Sequence, residues 1–169
     1  KQEYLIGTEK IVVVTGGPGN AKSTISVSAA SRDIVKHLKR IFTAGGNADT
    51  ENLIKLHFKK SSENYVIFHY GDVCNDSIPI RISNDNVKRI KEELKKCNEK
   101  AKKLREDGNI HELQGTYVEL VLQPNEILSK LMRDCNISIL TFIDTPGIDA
   151  QHSGESVAVA DIIVVVLGD

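Results

Sequence analysis

The sequence predicts an α/β domain whose mostly parallel sheet is flanked by helices, and three observations predict it. Ile11–Thr15 is a continuous apolar, β-branched run, Ile137–Ile143 reads as a further buried strand, and Ile162–Leu167 is a strand-like run of the same kind as the first, the pattern of strands in a parallel sheet. Segments of helical period separate such runs, as crossover connections require. A glycine-rich loop stands directly between the first run and a helical pattern, and a Pro-Gly turn ends the second. Ligands of open α/β sheets gather at the carboxyl ends of the strands, where both of these turns lie.

At 169 residues the chain is expected to form a single domain over 1–169 and to bury roughly 70% of the surface exposed when unfolded. A formal net charge of −1 with 27% charged residues supplies no global basic field, which argues against nucleic acid or an anionic membrane as the main ligand. Cys74, Cys97 and Cys135 are odd in number and contain no C-x-x-C, so they read as reduced thiols of a cytoplasmic protein and argue against zinc. The longest apolar runs, about six residues, fall well short of the roughly 20 that span a bilayer. The chain starts at Lys1 rather than Met and stops just after a strand-like run, so it reads as a fragment.

Taken in order, residues 1–10 are a polar lead-in and Ile11–Thr15 is the first strand. Ser23 to about Phe42 reads as one helix, with Ile25, Ala29, Ile34, Val35, Leu38 and Phe42 near one stripe. Ala44–Thr50 is a breaker-rich loop. Leu53–Phe58 and Tyr65–Tyr70 are two β-like runs joined by a short polar link, a pattern that predicts a hairpin or edge pair. Gly71–Pro79 is irregular. From Asn84, read as the N-cap, the series Val87, Ile90, Leu94, Cys97, Ala101, Leu104 steps by three and four to Gly108, a suitable residue to follow a helix. This inserted amphipathic helix has a narrow apolar stripe amid Lys and Glu, so it should lie on the body along a thin seam rather than form a coiled coil. Tyr117–Leu122 alternates as a strand, Pro124 opens a short helix to about Met132, and Ile137–Ile143 is a buried strand. Val157–Ala160 reads as a helical turn before the last strand, Asp161–Leu167.

The loop Gly16-Gly17-Pro18-Gly19-Asn20-Ala21-Lys22-Ser23-Thr24 carries the chemistry. Its strand–loop–helix setting aims successive backbone N–H groups and a helix N-terminus at an anion. It matches the phosphate-binding pattern G-x-x-x-x-G-K-[ST] at Gly16, Lys22 and Ser23 and departs from it at Ala21. Lys22 would reach the β- and γ-phosphates, and the Ser23 hydroxyl would ligate Mg²⁺. A glycine at position 21 would let the backbone approach the phosphates closely, whereas a methyl group crowds them. The second motif, Asp144-Thr145-Pro146-Gly147, taken alone is equally a turn after a strand. Beside a phosphate loop it has a further use: the Asp144 carboxylate holds Mg²⁺ through its water shell, and the Gly147 N–H meets a γ-phosphate.

With these motifs in place, the stretches Gly16–Thr24, Thr50–Phe58, Tyr117–Leu120 with Pro124, and Asn136–Asp149 (NISILTFIDTPGID) together resemble the front of a dynamin-superfamily GTPase domain, nearest to the bacterial dynamin-like proteins. The resemblance implies a P-loop NTPase fold of the G-domain kind, GTP as substrate and Mg²⁺ as cofactor. It makes Lys22 the phosphate lysine, Ser23 the Mg²⁺ ligand, Asp144 the metal aspartate and Gly147 the γ-phosphate sensor. Thr50, just before a strand, is the preferred switch threonine, acting on the metal and the water; Thr43 stands at the more usual distance from Lys22. The resemblance also implies homodimerisation across the nucleotide face, and membrane contact only through parts absent from this chain. Pro18 and Gly19 stand where members with efficient hydrolysis carry polar residues, and the guanine-reading motif is missing because the chain ends first.

Two other readings compete. Gly-Gly-Pro-Gly also resembles the phosphate loops of adenylate kinases, an ATP-using class, although no Arg-rich lid accompanies it. Alternatively Pro18, Gly19 and Ala21 mark a degenerate switch that serves as an interaction module. His37, His57, His69, His111 and His152 lack metal spacing and read as ordinary core or surface residues. Gln151 and His152 follow Gly147 closely enough for one of them to orient water.

Overall fold

The computed structural model describes residues 8–16, 27–42, 52–60, 63–71, 78–144 and 160–166, with 14–16 and 165–166 as backbone only. Seven strands, β1 (Thr8–Gly16), β2 (Leu53–Lys59), β3 (Tyr65–Tyr70), β4 (Ile80–Arg81), β5 (Thr116–Leu122), β6 (Ile137–Asp144) and β7 (Ile162–Val166), form one sheet. Its order is β4-β3-β5-β2-β6-β1-β7. Among the described residues four α-helices with defined bounds accompany it: α1 (Arg32–Phe42), α2 (Val87–Glu106), α3 (Ile110–Gln114) and α4 (Glu126–Asp134).

The sheet is mixed, which corrects the expectation of a mostly parallel one. β1 runs parallel to β6 and β7, and β2 to β5, whereas β2–β6, β3–β5 and β3–β4 are antiparallel. An alternating strand pattern tells which face is apolar and is blind to direction, so the reversal of β2 against β6 has no signature in sequence. The expected hairpin of β2 with β3 is also absent, because β5 lies between them. Ile54, Leu56 and Phe58 stand opposite Val118, Leu120 and Leu122, while Val66 and Phe68 face Leu120 and Val118 from the other side. β5 thus completes the apolar layer on both flanks, which the local polar link cannot do.

The apolar face of these strands meets α1, α2 and α4 in one buried cluster that includes Leu38, Ile90, Met132, Phe58 and Leu120. In α1, Ile34, Leu38 and Ile41 are buried at helical spacing, with Asp33 in the first turn and Lys39 and Arg40 in the last, where each sign suits the helix dipole. The helix expected from Ser23 to about Phe42 is interrupted: residues 27 and 28 are helical, residues 29–31 are not, and α1 starts at Arg32, while residues 23–26 lie outside the described residues. Ala30 forms a β-bridge with Pro124, and the Ser31 N–H donates to the Gln123 carbonyl at 2.9 Å. Helical hydrogen bonding cannot run through a backbone already paired with the β5–α4 connection.

α2 follows its expected stripe, with Val87, Ile90, Cys97, Ala101 and Leu104 buried. Its start differs. Asn84 opens a 3₁₀ turn to Asn86, and Asn86 rather than Asn84 caps α2, without a side-chain cap bond. Gly108 takes φ +69° just beyond the helix, a conformation with little cost for glycine. α3 and the short strand β4 escaped the sequence pattern, since five and two residues carry too little periodicity to read. Pro124 precedes α4 in the bridge to Ala30, and Asn125 caps the helix by accepting from the Leu128 N–H at 2.8 Å. Asn136, at φ 54°, turns the chain directly into β6. β7 occupies the sheet edge, where Ile162 is 55% exposed.

Among the described residues, no helix is long and apolar enough to cross a membrane. Cys97 is buried and Cys135 exposed, both as free thiols. Cys74 and the expected turn at Val157–Ala160, apart from Ala160 itself, lie outside the described residues.

Candidate functional site

β1 and β6 are neighbours running in the same direction, and their last residues, Gly16 and Asp144, reach the same edge of the sheet. Val14 stands opposite Asp144, and Gly16 opposite Val166 of β7. β2 enters from that edge in the reverse sense, with Ile54 opposite Asp144 on its other side. Asp144 therefore sits between the end of β1 and the beginning of β2. Its side chain is 3% exposed, a depth at which a carboxylate is costly unless a partner engages it, and Asp144 has such an interaction.

Of the phosphate- and metal-site residues expected from sequence, only Gly16, through its backbone, and Asp144 fall in the described part. Gly17, Pro18, Gly19, Asn20, Ala21, Lys22, Ser23, Thr24, Thr43, Thr50, Gly147, Gln151 and His152 lie outside the described residues. Among the described residues, no group of three or more His, Cys, Asp or Glu side chains could hold a metal ion.

The edge beside Asp144 is held by α2, a role that its charged composition did not announce. Asn52, directly before β2, is 1% exposed, and its Nδ2 donates to Asn98 Oδ1 at 2.7 Å. Among the described residues, its own buried Oδ1 has no hydrogen-bond partner. The neighbouring Cys97 thiol is pushed up to about 12 by burial, so it packs as a neutral apolar group rather than a reactive thiolate. Tyr70, the last residue of β3, donates its hydroxyl to Glu93 Oε2 at 2.7 Å, and Lys100 Nζ reaches the Tyr70 carbonyl at 3.0 Å. Burial, then the Glu93 bond, raises the tyrosine hydroxyl, while the same bond followed by that from Lys96 holds Glu93 below the usual carboxylate range.

A polar row crosses the other face of the sheet, built from histidines that sequence spacing gave no reason to join. Glu119 of β5 lies between His57 of β2 and His69 of β3, with Oε1 3.7 Å from His57 Nε2 and Oε2 3.6 Å from His69 Nε2. His57 Nδ1 shares a 2.8 Å hydrogen bond with Thr141 Oγ1, which fixes the ring. His69 stacks on Tyr117 at 4.2 Å, and Lys55 Nζ stands 4.6 Å from the centre of that ring. The approach of the His57 imidazole is the main reason why Glu119 is held below the ordinary glutamate range, against the opposing pull of burial. The two histidines come at Glu119 from opposite diagonals, His57 beside Val121 and His69 beside Tyr117. That arrangement is a set of cross-strand polar contacts on one face of the sheet.

No protein-family model matches this chain, and no curated protein sequence matches it. The edge formed by Gly16, Asp144 and the start of β2 is accordingly characterised by its own geometry.

Proposed function

We propose that this chain is a GTP-binding and GTP-hydrolysing domain of a dynamin-like protein, with a P-loop fold of the G-domain kind. The observation that supports the reading best is the parallel pairing of β1 with β6. It brings the end of the strand preceding the Gly16–Ser23 loop beside Asp144 at one sheet edge, where phosphate sites of such folds are built.

In this reading the loop amides and the Lys22 ammonium hold the β- and γ-phosphates, and Gly147 N–H meets the γ-phosphate. Ser23, Thr50 and the buried Asp144 supply hard oxygen donors, the ligand chemistry that Mg²⁺ prefers. When bound, Mg²⁺ neutralises charge on the phosphate oxygens. Asp144 contributes its negative charge from a fixed strand end, so little of it is lost to side-chain reorganisation. Dimerisation across the nucleotide face, and membrane contact through other parts of a larger protein, belong to the same proposal.

Binding of fluorescent GTP and ATP analogues, each with Mg²⁺ and with EDTA, tests it. The proposal expects saturable, Mg²⁺-dependent binding that favours GTP and is lost in Lys22→Ala. Preference for ATP replaces the substrate. Ala21 favours a second reading, the degenerate switch acting as an interaction module. Absence of binding in the wild type, with binding gained in Ala21→Gly, would establish that reading instead.

A further inference from the structure

A cavity of about 530 Å³ opens at the sheet edge opposite Asp144, where β2 ends, β6 begins and α4 passes alongside. Lys59, Lys60 and Arg133 line it, and no carboxylate does among its described lining residues. None of the three cations forms an ion pair with a described carboxylate. In a chain whose net charge is −1, a concave surface with three positive groups and no compensating negative one is a local imbalance. It favours an anion. The rest of the described lining combines an apolar wall of Pro124, Met132, Ile137 and Ile139 with the polar side chains of Gln123, Ser129 and Ser138. Its volume falls in the range of roughly 300–1,000 Å³ typical of small-ligand pockets, which combine an apolar wall with a few polar groups. A second cavity of about 670 Å³ beside α2 and α3 mixes Lys96, Lys100 and Lys103 with Glu99, Asp107 and Glu112, and so selects neither sign.

We infer that the cavity at the β2–α4 edge binds a small organic anion, with a phosphate or carboxylate head on an apolar body. The head lies among Lys59, Lys60 and Arg133, where the planar guanidinium offers two parallel donors to the anion. The body lies on Met132, Ile137 and Ile139. Lys59 and Ile139 are paired residues of neighbouring strands, so the cationic and apolar sides of the site share one rigid support. The inference is independent of the nucleotide reading, since the cavity lies at the opposite edge of the sheet.

Titration of the ¹⁵N-labelled chain with phenyl phosphate, inorganic phosphate and benzyl alcohol, followed by amide shifts, tests it. To keep the phosphate loop from contributing, the titration is repeated in Lys22→Ala. The expected result is saturable shifting at Arg133, Ser138 and Ile139 by phenyl phosphate in both proteins, with at least tenfold weaker binding of either half-ligand. The double variant Lys59→Gln, Arg133→Gln, whose surface positions leave the core intact, should lose at least tenfold in affinity with an unchanged circular dichroism spectrum. Shifts that do not saturate, that lie elsewhere, or that persist unweakened in the folded double variant overturn the inference. Equal binding of benzyl alcohol would show an apolar cleft with no anion preference and would overturn it as well.

Discussion

Val14 of β1 and Asp144 of β6 are opposite residues of a parallel strand pair, so two motifs about 120 residues apart in sequence end side by side. Replacement of Asp144 by Asn keeps its shape and removes its charge. Under the nucleotide reading, Asp144→Asn lowers Mg²⁺-dependent GTP turnover by at least about 100-fold, the scale on which positioned electrostatic groups act. Steady-state phosphate release measures it, and a turnover within threefold of wild type would remove Asp144 from the site.

Asn98→Ala leaves the buried Nδ2 of Asn52 without its acceptor. An unsatisfied buried donor costs about 1–3 kcal/mol, and urea denaturation should show that loss with an unchanged slope. Asn98→Asp keeps an acceptor and should recover part of it.

Glu119, held below its ordinary value of 4.5, gives a pH dependence whose sign is fixed. A depressed carboxylate adds stability that is fully present above the unfolded value and is lost as pH falls through the folded one. Wild type should therefore lose stability below about pH 4.5 more steeply than Glu119→Gln. Urea midpoints measured from pH 6 to pH 3 compare the two, and parallel curves would show that Glu119 is uncoupled from His57.

Gly115 approaches another backbone closely. A Cβ there would stand 2.9 Å from the Gly71 carbonyl carbon, at the point where the Gly71 N–H bonds the Gly115 carbonyl at 2.9 Å. Because backbone atoms cannot swing aside, Gly115→Ala should cost about 1–3 kcal/mol. At Gly108, nothing lies within 4 Å of a new Cβ and φ is +69°, so Gly108→Ala pays only the conformational cost of about 1–2 kcal/mol. Thermal melts of the two variants separate crowding from backbone strain.

By itself the sequence determined the strands other than β4, and the stripe of α2. Alternation in Leu53–Phe58 and Tyr117–Leu122, and three-four spacing from Val87 to Leu104, are properties of neighbouring residues, and local periodicity records them. The glycine-rich loop and Asp144-Thr145-Pro146-Gly147 are likewise legible as contiguous motifs, although only Gly16 and Asp144 of them fall within the described residues. The tertiary structure alone decided the direction of β2, the insertion of β5 between β2 and β3, and the interruption of the first helix by Pro124. It alone joined Glu119 to His57 and His69 and Asn52 to Asn98, and set Lys59 and Arg133 around one cavity. Each of these depends on which distant segment supplies a pairing edge or fills the apolar layer, and that choice is made by burial summed over the whole sheet. No short window of sequence contains that sum.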